Sequence, residues 1–191
     1  MNLLGARRAL RAGVRAIVFA SIWLGCGTVV QASAELDELF ARLQSIQDPD
    51  EAPAIEDRIW DIWRHDADDY TLGLLDLAKA YLSRHGPDAA IRVYDELLKQ
   101  EPDYAHGLNA RATLHYTIGD FQKSLDDIER VLVLEPRHYG AMYGKGLVFI
   151  EQQRFEDARA AFDAVVHINP HAGGLVWALE RLERRQLEST Q

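Results

Sequence analysis

Residues 105–138 read AHGLNARATLHYTIGDFQKSLDDIERVLVLEPRH, and residues 139–172 read YGAMYGKGLVFIEQQRFEDARAAFDAVVHINPHA. Laid one above the other, they agree in pattern over 34 residues. Leu108 stands over Met142, Ala112 over Gly146, Ser124 over Ala158, Ile128 over Phe162 and Pro136 over Pro170. Each half carries apolar residues at helical spacing, and Gly119-Asp120 breaks the first unit in the middle. A unit of this kind is two helices joined by a short turn, with Asp120 placed as an N-cap. The prolines extend the period outward. Pro102, Pro136 and Pro170 are 34 apart, and so are Pro53 and Pro87. The first set stops a second helix, because proline lacks an N–H and its ring clashes with the preceding turn. The second set falls where a second helix begins and proline is tolerated.

The period divides the chain into units at 71–104, 105–138 and 139–172. A degenerate unit precedes them at 35–70, in phase from residue 37, and a last helix with a tail follows at 173–191. In the degenerate unit Phe40 and Leu43 occupy first-helix core positions, and Trp60 and Trp63 share one face of the second helix as core residues. Leu175, Leu179 and Leu182 line the last helix as a cap. Small residues (Ala78, Ala112, Gly146; Ala90, Ser124, Ala158) mark where paired helices approach closely, and Tyr94, Ile128 and Phe162 wedge against the neighbouring unit.

In these positions the chain resembles the tetratricopeptide repeat, whose pattern is met in the first unit by Leu74, Leu77, Ala78, Tyr81, Ala90, Tyr94 and Pro102. Arg111 and Lys145 depart from it where leucine is usual, and Leu97, Val131 and Val165 where alanine is usual. The resemblance implies an all-α, right-handed superhelical solenoid of helix-turn-helix hairpins with a C-terminal capping helix. It also implies a concave face lined by the first helices. Carried over by position, partner-binding residues on that face are Leu75, Lys79, His106, Asn109, Thr113, Tyr116, Tyr143, Leu147 and Ile150. Their mixture of apolar and hydrogen-bonding groups suits a protein or peptide anchored by a few side chains. Only Lys79 and Asn109 approach the Lys/Arg/Asn set by which some members clamp a terminal carboxylate; arginine is missing from the row.

The first 34 residues read as an address. Arg7, Arg8, Arg11 and Arg15 precede an apolar stretch from Ala16 to Val30, which ends in Ala32-Ser33-Ala34. That is the layout of a secretory signal peptide cut after Ala34. An uncleaved anchor in the inner membrane is the alternative, and either way the remainder faces the periplasm. Removing residues 1–34 takes away four arginines, no acid and Cys26, the only cysteine, leaving 17 basic against 30 acidic residues, a net charge of −13. The whole chain carries −9. An acidic chain is unsuited to tracking phosphates, so nucleic acid is excluded as a partner. Contact with a membrane is confined to the N-terminal segment.

No catalytic constellation emerges. His167 and His171 straddle Asn169-Pro170 and so do not share a helix face. The acidic runs at 48–51 and 66–69 lack the glycine-punctuated alternation of a calcium loop. The expectation is therefore a non-enzymatic scaffold with no metal and no cofactor, and with self-association as a coexisting possibility. A small-ligand or enzymatic site on the groove, using His106, His115 and Tyr143, is the competing reading.

Overall fold

The computed structural model describes residues 33–189, and the signal segment and most of the cleavage region lie outside them. Helix α1 occupies 33–45, and a 3-10 turn at Pro49–Glu51 leads into α2 (Ala52–Arg64). Then follow α3 (Asp69–His85), α4 (Pro87–Gln100), α5 (Ala105–Thr117), α6 (Phe121–Leu134), α7 (Tyr139–Glu151), α8 (Phe155–Ile168) and α9 (Leu175–Glu188). No strand occurs among the described residues, and none of their helices is long and apolar enough to cross a membrane. The description below concerns residues 40–189.

Helices α3 and α4, α5 and α6, and α7 and α8 form hairpins. Each second helix packs on the first helix of the next pair, and α9 lies against α7 and α8. The sequence explains the close approach within a hairpin. Gly146 faces the Phe162 ring so tightly that a Cβ would stand 2.4 Å from Phe162 Cε1. One unit earlier Ser124 Oγ donates to the Ala112 carbonyl across the same interface at 2.9 Å. Leu97, Val131 and Val165, at the position where alanine is usual, are all fully buried, so the greater bulk is accommodated inside the stack. Arg111, where leucine is usual, turns its position polar. Its guanidinium donates to both carboxylate oxygens of Asp127 at 2.7 and 2.8 Å and to Asp95 at 2.8 Å. Lys145 repeats the link one unit on by donating to Glu129 at 2.6 Å. Asp120 stands at the N-cap of α6, but its carboxylate takes the Lys123 ammonium at 2.6 Å and makes no capping bond.

The N-terminal hairpin departs from the expected order. Instead of lying on α3 as α4 lies on α5, α2 crosses the starts of α5 and α7. Tyr104 Oη donates to the Arg64 carbonyl at 2.6 Å, and Asn169 Nδ2 donates to the Glu56 carboxylate. From α1, Gln44 Nε2 donates to the His167 carbonyl at 3.1 Å, and Phe40 lies under the Arg137 guanidinium. Two features of the sequence make this seat. Gly140 leaves a slot, since a Cβ there would stand 2.6 Å from the Trp60 ring. His138 supplies a flat surface on which Trp63 stacks, with centroids 4.1 Å apart and planes within 10°. The two tryptophans are thus core residues, and residues 35–70 form a helix pair strapped across the stack, not an additional layer at its end.

Candidate protein-binding groove

Helices α3, α5, α7 and α9 present one continuous row of side chains because they recur with the repeat. Lys79, Thr113, Leu147 and Arg181 are spaced by 34 and occupy equivalent positions. The α3 end is open: Lys79 is exposed and reaches Asp76 at 3.5 Å. In α5, Asn109 and Tyr116 are half-buried and Thr113 is exposed, its hydroxyl returned to the Asn109 carbonyl at 3.0 Å. In α7, Leu147 and Tyr143 are half-buried, and Tyr143 Oη donates to the Gly174 carbonyl at 3.3 Å. Burial raises the Tyr143 phenol above its ordinary range, so it stays a neutral donor.

Three of the expected residues are placed otherwise. Leu75 and Ile150 are fully buried and belong to the core, because helix rotation turns these positions inward where they fill the space between neighbouring first helices. His106 is half-buried between Tyr104 and Trp60, with ring centroids at 5.9 and 6.1 Å. Its pKa falls to about 4, chiefly through burial and further through Lys79 and Arg64, so the ring is neutral at pH 7. The competing catalytic set is dispersed: His106 lies under α2, His115 is buried, and Tyr143 is committed to Gly174. Among the described residues no three His, Cys, Asp or Glu side chains come together as a metal site.

The structure adds an arginine that sequence reasoning missed. Arg181 of α9 donates to Tyr116 Oη at 3.1 Å and pairs with Glu151, while its guanidinium lies 5.3 Å from the Trp177 ring. Arg185 stands 3.9 Å from the same Glu151. The signal was present: extending the 34-residue period by one more unit would have placed Arg181 beside Leu147 and Trp177 beside Tyr143. The remaining groove surface therefore consists of Lys79, Asn109, Thr113, Tyr116, Leu147 and the Trp177–Arg181 pair.

Comparison with known proteins agrees with this geometry. The family model described as tetratricopeptide repeat matches residues 75–124 and 109–173, and the chain belongs to that family. It is 36% identical over 137 residues to a TPR repeat-containing protein of Rhizobium etli, an alignment that takes in 71% of this chain and 66% of that one. Among solved structures it is similar to the Sgt2 TPR domain of Aspergillus fumigatus, with a TM-score of 0.59, 22% identity and coverage of 64% of this chain and 83% of that one. It is also similar to the first TPR of Spaghetti (RPAP3) bound to an HSP90 peptide, with a TM-score of 0.57, 18% identity and coverage of 66% and 99% respectively.

Proposed function

We propose that this chain is a non-catalytic scaffold that binds a protein or peptide along the face of α3, α5, α7 and α9, in the periplasm or cell envelope. The observation that carries the binding reading is the row itself. Half-buried rings and an aliphatic side chain alternate with exposed donors across four successive first helices. An extended segment laid across them would meet an apolar contact and a hydrogen-bonding group at each helix. Arg181 is held by Tyr116 and Glu151, so its guanidinium is ordered before a partner arrives, which lowers the entropy lost on binding. A peptide-bound TPR of the same fold supports the mode of binding without naming the partner.

The test uses side chains that hold nothing else in place. Tyr116 and Tyr143 are poor choices, since they tie α9 to the stack. Lys79→Glu, Thr113→Arg and Leu147→Glu together are expected to weaken partner capture at least about tenfold, a loss of about 1.4 kcal/mol or more. Helicity and melting should stay near the parent values. A photo-crosslinker at Thr113 should yield adducts that one at Asp126, on α6, does not. Equal capture by the triple variant, or equal labelling from both sites, would refute the groove reading.

The address is tested separately. The four arginines, the apolar stretch and Ala32-Ser33-Ala34 support export, and N-terminal sequencing of protein recovered from the envelope should begin at Glu35. A chain recovered wholly from the cytosol would rule it out.

A further inference from the structure

The first helix of the stack has a face with no counterpart farther along. At equivalent positions of α5, Tyr104, Leu108 and His115 are buried by α4 and the α2 strap. On α3 the corresponding Tyr70, Leu77 and Tyr81 are 61%, 43% and 40% exposed, and Leu74 is half-buried between them. These four lie at intervals of four, three and four residues, so they form one stripe down the helix. They are uncovered because α2 is drawn away to Gly140 and His138.

The stripe is symmetric about the middle of the helix. With a two-fold axis beside residues 75 and 76, antiparallel α3 helices of two copies set Tyr70 opposite Tyr81 and Leu74 opposite Leu77, each pair formed twice. The charges follow the same symmetry. Asp66, Asp68 and Asp69 cluster at the start of α3, whereas Arg84 and His85 stand at its end, and all but the capping oxygen of Asp68 point their charge into solvent. Antiparallel pairing brings the end of one helix beside the start of the other, so Arg84 and His85 of each copy meet the acidic cluster of its mate. Gly73, beside the stripe, has nothing within 4 Å of where its Cβ would be, which leaves room for a facing ring. We propose that this face is an isologous dimer interface between two copies of this chain.

A helix from an unrelated protein would need the same apolar spacing but would have no reason to match the charge reversal. A second copy matches it by symmetry, and this decides the occupant. The interface lies on a different face from the groove, so dimerisation and partner capture can fail independently.

Sedimentation of the full chain and its variants tests the proposal. The parent chain should sediment as a dimer, and Leu77→Arg as a monomer with an unchanged circular-dichroism melt. Arg84→Glu alone and Asp66→Arg combined with Asp69→Arg should each weaken dimerisation about tenfold or more. Joining the three reversals in one chain should restore it. A monomeric parent at high micromolar concentration would overturn the proposal. So would a dimer indifferent to Leu77→Arg, or charge reversals whose combination fails to restore pairing.

Discussion

Gly146→Leu is expected to cost about 3 kcal/mol, at the upper end of the ordinary range for overpacking a core. The side chain would have to begin where the Phe162 ring already lies, 2.4 Å from its Cε1, 2.7 Å from its Cζ and 2.8 Å from its Cδ1. Phe162 is fully buried, so its ring has no solvent to swing into. The hairpin of α7 and α8 must therefore open, which loosens α9 and the groove with it. For a chain of this size such a loss lowers the melting temperature by roughly 6–12 °C. Phe162→Ala should be equally harmful for the opposite reason, leaving a void that costs about 3–5 kcal/mol. Combining Gly146→Leu with Phe162→Ala should recover part of the loss, because the new side chain enters the vacated space. Thermal melts followed by circular dichroism measure all three chains. Strictly additive losses in the double variant would show that the two positions do not share one space.

Acidification should release the N-terminal strap before the stack unfolds. His138 is fully buried beneath Trp63, and burial together with the neighbouring His106 depresses its pKa to about 3. That of His106 lies at about 4, lowered by burial, Lys79 and Arg64. The facing groups on α2 and α7 are Trp60, Trp63 and Tyr139, none of which offers a carboxylate to either ring. With α2 detached, both rings return toward 6.5, so the detached state binds more protons as pH falls. The sign follows: attachment is at full strength above pH 6.5 and weakens as pH drops toward 4 and then 3. Each histidine removes up to about 1.4 kcal/mol per pH unit within its window. Amide hydrogen exchange should show protection across α2 at pH 7.5 and its loss near pH 5, with α5–α8 still protected. The His138 Nδ1 also accepts from the Ala141 amide at 3.1 Å, so His138→Asn keeps an acceptor while abolishing that titration. It should blunt the response. An α2 equally protected at both pH values would show that neither ring gates it.

The repeat was legible because each hairpin is determined by contacts among residues close in sequence. Alanine or glycine at the helix crossing, a large side chain in the wedge and proline at the exit recur at fixed intervals, and each acts within its own unit or the next. The groove was legible only in outline. Position within the repeat located Lys79, Asn109, Thr113, Tyr116 and Leu147 on the correct surface, yet it also placed Leu75 and Ile150 there. Those two differ from their equivalents by a helix rotation that packing fills with core, which no periodic argument detects. Arg181 was overlooked because α9 has no second helix and reads as a cap, although its register continues.

The sequence by itself determined the all-α repeat, its phase, the acidic surface and the charge asymmetry of the first 34 residues, since these depend on composition and on neighbours within about one repeat. Only the tertiary structure decided where α2 goes. Its seat depends on Trp60 meeting Gly140 and Trp63 meeting His138, partners some 75–80 residues away whose match is one of shape and not of period. The same choice leaves α3 bare, and so the exposed face of the stack follows from a contact that no local pattern records.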